Sequence, residues 1–124
     1  MRVPTIDLRD PDQEQLQSLD AACRDHGFFL LRNHGIDNQV EKMWKASTWF
    51  FNLAREEKIK ILRTEENPLG FYDRELTKRK RDLKEVFDFI EPRRSGEDIN
   101  QWPEQTDFKR AMESFFGAAS MIAQ

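Results

Sequence analysis

Three observations in the 124-residue sequence predict an α+β domain of helices and a few short strands. Between Gly27 and the turn Asn33-His34-Gly35 stand four large apolar residues, Phe28 to Leu31, followed by Arg32. Such an unbroken run between glycine stops describes a strand covered on both faces, because a strand with one wet face would alternate. Apolar residues recur at helical spacing in three stretches, and other short runs alternate or are entered through glycine. A strand covered on both faces needs neighbours on both sides, and whether this chain supplies them bears on what it does.

The elements follow in order. Val3 to Leu8 is extended, and Pro4 confines it to a sheet edge. A helix is expected to start at Asp10-Pro11-Asp12-Gln13, with Asp10 as cap, proline in the first turn and Gln13 closing a capping box. Leu16, Leu19, Ala22 and Cys23 give its apolar face, and Gly27 ends it. After the strand Phe28–Arg32, Asp37 is the expected cap of a second helix. Its stripe is Val40, Met43, Trp44, Ser47, Phe50, Phe51 and Ala54, opposite Gln39, Glu41, Lys42 and Lys45. Arg55 to Lys60 extends it or begins a further turn, with Ile59 and Leu62 pointing inward. A loop from Arg63 to Pro68 leads to a short strand, Leu69–Tyr72. The charged stretch Asp73–Asp82 reads as a solvated loop. Leu83–Glu91 alternates with period two and reads as a strand, with Phe87 and Phe89 on one side and Val86, Asp88 and Ile90 on the other, although Leu83, Val86, Phe87 and Ile90 also fit a helix. Asn100-Gln101-Trp102-Pro103 is a fixed loop before the last helix, expected from about residue 107.

That helix carries Phe108, Met112, Phe115, Phe116, Ala119 and Ile122 on one stripe, and the stripe is still running at Gln124 with no cap in sight. The expectation is a single region, 1–124, whose final helix is cut short; the alternative is a short helix that frays.

Composition narrows the class. Charged residues make up 35% and hydrophobic ones 38%, yet fourteen aromatics, ten of them Phe, argue against a disordered chain. A net charge of −3 does not steer toward nucleic acid or membrane. No apolar run approaches the roughly 20 residues of a membrane helix. The N-terminal residues lack the apolar centre of a signal peptide. One cysteine, Cys23, excludes an internal disulfide and fits a reducing compartment. The chain is therefore expected to be cytoplasmic. Cys23 reads as an inert core thiol. Lys78-Arg79-Lys80-Arg81 reads as solvated and offset by Asp73, Glu75, Asp82 and Glu85, with no interleaved aromatics for nucleic acid.

Several short motifs stand in a fixed order: Val3-Pro4-Thr5-Ile6-Asp7-Leu8, Gly27-Phe28-Phe29, Asn33-His34-Gly35-Ile36, Phe50-Phe51-Asn52-Leu53 and Glu56-Glu57-Lys58. Gly70-Phe71-Tyr72, Asp82-Leu83-Lys84-Glu85 and Asn100-Gln101-Trp102-Pro103 follow. With them the chain resembles the N-terminal region of the isopenicillin N synthase-like Fe(II)- and 2-oxoglutarate-dependent oxygenases. The resemblance implies the N-terminal part of a double-stranded β-helix (jelly-roll) enzyme whose catalytic core lies elsewhere. It implies Fe(II), held by a His-x-Asp motif and a later His, and 2-oxoglutarate, held by an Arg-x-Ser motif, in the full-length enzyme. Neither His26 nor His34 begins His-x-Asp, and Arg93-Arg94-Ser95 lacks a strand setting. No catalytic or metal residue is therefore assigned here, and no cofactor is expected to bind this chain alone. His26 reads as a helix-end residue and His34 as a turn residue bonded to nearby backbone.

By the same resemblance, the segment around Gly70-Phe71-Tyr72 and the strand after it line the substrate mouth. Phe71, Tyr72 and Asp88 are then the candidate substrate contacts. The leading expectation is the scaffold and substrate-entrance region of a small-molecule hydroxylase or desaturase, inactive without its jelly-roll partner domain. The alternative is a standalone interaction module completed by a partner or by self-association.

Overall fold

The first helix, α1 (Gln13–Asp25), begins where the Asp12 carboxylate accepts a 2.8 Å hydrogen bond from the Gln15 amide. The expected cap Asp10 and the proline after it lie outside the residues that the computed structural model describes, 2–9 and 12–124. The helix ends as expected. Gly27 takes φ +79°, and the amides of His26 and Gly27 both donate to the Ala22 carbonyl. Its inner face is narrower than the periodicity suggested. Ala22 is buried, whereas Leu16 and Cys23 are exposed, so Cys23 is a surface thiol and not a core one.

α1 lies against β1 (Thr5–Asp7), which pairs in parallel with β2 (Leu30–Arg32) in the register Thr5↔Leu30, Ile6↔Leu31, Asp7↔Arg32. The expected strand Phe28–Arg32 is therefore present but shorter, and it is not covered on both faces. Phe28 is 56% exposed and Leu30 57%, because β1 is its one partner among the described residues and one face is left open.

Asp7 fastens this corner. Its carboxylate accepts from the Arg9 amide at 2.9 Å, the Asn33 side-chain amide at 3.0 Å and the Arg32 guanidinium at 2.9 Å, while its own amide donates to Gln15. Those donors, the Asn33 bond foremost, hold its pKa at about 2, below the ordinary 3.8. Asn33 reaches Asp7 from a left-handed backbone, φ 58°.

The second helix, α2 (Asp37–Phe51), starts one residue earlier than a cap at Asp37 implies, with Asp37 inside its first turn and no side-chain cap at Ile36. Asp37 thus acts on the helix dipole rather than as a cap. Phe50 has no exposed surface, and Met43, Ala46 and Phe51 pack beside it. Trp44, expected inside, is 63% exposed. Trp49 is also exposed, though its ring lies 6.1 Å from that of Phe108. Ala54 lies beyond the end of the helix.

A short α3 (Arg55–Lys58) runs into a 3₁₀ turn (Ile59–Ile61). The tighter winding brings Ile61, not Ile59, into the core, with Leu62 partly buried against it. β3 (Gly70–Tyr72) then pairs antiparallel with β6 (Val86–Asp88). The strand expected over Leu83–Glu91 is confined to those three residues, and Leu83 is 91% exposed. Between them the expected loop is a hairpin, β4 (Leu76–Thr77) and β5 (Lys80–Arg81), turning on Lys78 and Arg79 at φ 52° and 68°. Two positive-φ residues make this a type I′ turn, a position that favours Asn-Gly. α4 (Thr106–Ala123) packs along α2 and buries Phe108 and Met112.

The core is a cluster of rings. Phe50 meets Phe51 and Phe108 at 5.1 Å, Phe87 at 5.4 Å and Phe71 at 6.0 Å, mostly tilted or edge-on, the arrangements that ring quadrupoles favour. The Asn100–Pro103 loop locks this core from outside. Asn100 exchanges two hydrogen bonds with the Ile90 backbone (2.7 and 2.8 Å), standing in for a missing strand partner. Gln101 donates to the carbonyls of Leu62 and Leu69, and Trp102 stacks on Phe87 and Phe89. Gly70 passes between these groups at φ +102°. A Cβ there would run into the Ile61 carbonyl and lie 3.0 Å from the Gln101 amide.

Two outcomes follow from this packing. Phe50→Ala is expected to destabilise the chain by about 3–5 kcal/mol, as ring deletions in closed cores do, and Gly70→Ala should also destabilise it through the backbone clash; urea unfolding reads both. The stabilisation from the Asp7 contacts is complete above the ordinary carboxylate pKa and is lost as pH falls from about 4 to about 2. Acid titration followed at the Asn33 and Arg9 resonances should show that loss, and Asp7→Asn should abolish it.

Candidate substrate-entrance site

The antiparallel register of β3 and β6 sorts the three candidate residues onto two faces. Tyr72 stands opposite Val86, and Asp88 lies two positions further along β6, so Tyr72, Val86 and Asp88 share the outer face. Phe71 stands opposite Phe87 on the inner face and is fully buried against Phe50. The structure therefore brings Tyr72 and Asp88 to one surface and places the Phe71 side chain beneath it.

Arg63 completes this surface. Its guanidinium lies 3.4 Å from the centre of the Tyr72 ring, in the stacked geometry that planar guanidinium adopts, and donates to the Glu75 carboxylate at 3.1 Å. The Arg63 amide donates to the Phe71 carbonyl, and an isolated bridge joins Leu62 to Phe71. Sequence reasoning left Arg63 without a role and read Glu75 only as an offset to the basic run. A stack between residues nine positions apart, across a loop, leaves no periodic signal. Asp88 is exposed and has no cation within ion-pairing distance among the described residues.

Two further ion pairs hold the surface in place from the α3 side. Arg55 binds Asp73 through two nitrogens, at 2.8 and 3.2 Å, and keeps that buried carboxylate's pKa below its ordinary value. Lys58, also buried, donates to the Phe51 carbonyl at the end of α2 and to the Glu85 carboxylate, and its ammonium lies 5.5 Å from the Phe71 ring centre. These pairs correct the reading of the basic run. Asp73 is committed to Arg55, Glu75 to Arg63 and Glu85 to Lys58, while Asp82 faces Thr77 and Lys84. None of them forms an ion pair with Lys78–Arg81, although Arg81 is among the charges that lower the Asp73 pKa.

The histidines do not form a metal site. The His34 Nδ1 accepts from the Ile36 amide at 3.1 Å, so its ring serves the turn as expected, with Asp37 3.7 Å from its Nε2. His26 caps α1 through its backbone, and its Nδ1 is buried with no partner among the described residues. No group of three or more His, Cys, Asp or Glu among the described residues is placed to hold a metal ion, so the residues present do not fit the iron that the resemblance implies. No described helix is long and apolar enough to cross a membrane.

Comparison with known proteins agrees with the motif order. Residues 3–105 match the family described as "non-haem dioxygenase in morphine synthesis N-terminal". The homoarginine-6-hydroxylase 2-ODD-C23.1 of Arabidopsis thaliana is 35% identical, over 91% of this chain and 42% of its own length. The homoarginine-6-hydroxylase 2-ODD-233 of Oryza sativa subsp. japonica is 34% identical, over 87% of this chain and 38% of its own length. Flavanone 3-dioxygenase 2 of the same rice is 42% identical over a shorter stretch, 48% of this chain and 18% of that protein. The chain spans about two fifths of the length of the two homoarginine hydroxylases. It belongs to the non-haem dioxygenase N-terminal family and corresponds to the N-terminal region of a 2-oxoglutarate-dependent oxygenase.

Proposed function

We propose that this chain is the scaffold and substrate-entrance region of an oxygenase that hydroxylates or desaturates a small molecule, using Fe(II) and 2-oxoglutarate held by a jelly-roll domain outside these residues. The observation that carries this reading is the β3–β6 sheet. Its inner face is nailed to the Phe50 cluster, and its outer face offers Tyr72, with Arg63 stacked on it, beside Asp88, which has no ion-pair partner among the described residues. A rigid backing with adaptable polar groups in front is what a positioning wall requires. In this role Tyr72 and Asp88 contact the substrate, and Phe71 acts from below by fixing the strand. The relatives act on molecules as unlike as homoarginine and a flavanone, which supports a small-molecule substrate without choosing one. The partial cover on β2 supports docking of the jelly-roll against Phe28 and Leu30. The exposed Cys23 thiol supports the cytoplasm, where it stays reduced.

The 124-residue chain alone is inactive on this reading. Calorimetric titration with Fe(II) and 2-oxoglutarate should show no specific binding, and 2-oxoglutarate-dependent iron binding by this chain would overturn it. In the complete oxygenase, Tyr72→Ala is expected to raise KM by about tenfold, the equivalent of one lost aromatic contact, with kcat changed less. An unchanged KM would remove Tyr72 from the substrate wall.

A second reading is favoured by the same exposed side chains. Phe28, Leu30 and Trp44 form apolar surface that an interaction module would cover with a partner or a second copy. Sedimentation of the isolated chain separates the two: a discrete, saturable dimer supports the module, whereas a monomer, or non-specific association without an end point, supports the oxygenase region.

A further inference from the structure

The β4–β5 hairpin carries four consecutive cations, Lys78 to Arg81, all exposed. None has a carboxylate within ion-pairing distance among the described residues, because Asp73, Glu75 and Glu85 are bound by other cations and Asp82 by Thr77 and Lys84. Arg81 leans back onto the Asp73 carbonyl, at 3.4 Å, which leaves Lys78, Arg79 and Lys80 at the tip. The tip also holds an unfavourable backbone. Lys78 and Arg79 both sit at positive φ, where glycine or asparagine is favoured and long side chains are not. A turn built from Asn-Gly would form more readily, so folding alone does not account for a lysine and an arginine there.

We propose that the hairpin tip binds a small multivalent anion, one carrying two or more carboxylate or phosphate groups. The hairpin follows Tyr72 after three residues, and Glu75 at its base is the partner of the Arg63 that stacks on Tyr72. Assigning the anion to the oxygenase's own substrate rests on the function proposed above; the binding itself does not. The size of the site selects the class. A two-residue tip with three free cations spans a small molecule. It offers no aromatic platform for bases, and the exposed leucines near it, Leu76 and Leu83, stand at or beyond its base and not at the tip.

Amide NMR of the labelled 124-residue chain tests this, titrated with citrate and with pyrophosphate at low salt, where screening is weak. Saturable shifts confined to residues 76–82 are expected, with no response to glucose. Lys78→Asn/Arg79→Gly, which suits the turn while removing two charges, should keep the remaining spectrum and bind at least about tenfold more weakly. Lys78→Gln/Arg79→Gln, which keeps the strained backbone, should lose binding to the same extent. Equal affinity in either variant, or shifts spread over the whole chain, would overturn the proposal. Tighter binding to a single-stranded oligonucleotide or to phosphatidylserine vesicles than to citrate would overturn the small-molecule class. If the anions bind but turnover of the complete oxygenase does not discriminate between anionic and neutral substrates, the site stands and its link to the substrate fails.

Discussion

The Phe50 ring is the point on which the other elements depend. It belongs to α2, yet it touches β3 through Phe71, β6 through Phe87 and α4 through Phe108. These four elements are separated along the chain by loops and a hairpin, and none could bury its apolar side alone. Short strands of three residues are marginal by themselves. Here they persist because one face of the β3–β6 pair is a wall of the ring cluster, closed from the far side by Trp102.

Around that core the polar motif residues act as fasteners. Asp7 ties β1 to the end of β2 and to α1, Lys58 and Glu85 join the end of α2 to the approach of β6, and Arg55 grips Asp73 beyond β3. Asn100 and Gln101 satisfy backbone groups that a wider sheet would otherwise satisfy. Each is a buried or partly buried group with its partners present, the condition under which a polar contact specifies structure. The motifs that mark the family in the sequence are thus largely the pins of its N-terminal region. Under the proposed function, the residues available for recognition are Arg63, Tyr72 and Asp88 on the outer face of the β3–β6 pair.

The sequence made the helices legible because a helix that buries one stripe must repeat it every three or four residues. α1, α2 and α4 stand close to where that spacing puts them. It misplaced Trp44, since a stripe at period 3.6 has soft edges and the elements that cover it lie far along the chain. Phe28–Leu31 was legible as a strand but not as an uncovered one, because an apolar run does not say which elements stand beside it. The three candidate contacts came from the resemblance, not from local pattern; the structure puts Tyr72 and Asp88 on the outer face and buries Phe71 against Phe50, with Phe87 opposite it. Arg63 and the ion pairs beneath the hairpin depend on long-range geometry with no local pattern.

The account makes two unequal parts of one chain: a self-sufficient aromatic core of α2, β3, β6 and α4, and a β1–β2 corner held by Asp7 with much of its apolar surface open. Native-state hydrogen exchange, read amide by amide, tests this division most directly. The strongest protection is expected in α2, α4 and the β3–β6 ladder, with Leu30 and Arg32 exchanging through much smaller openings. Uniform protection across the chain, or slowest exchange in β1–β2, would contradict the account.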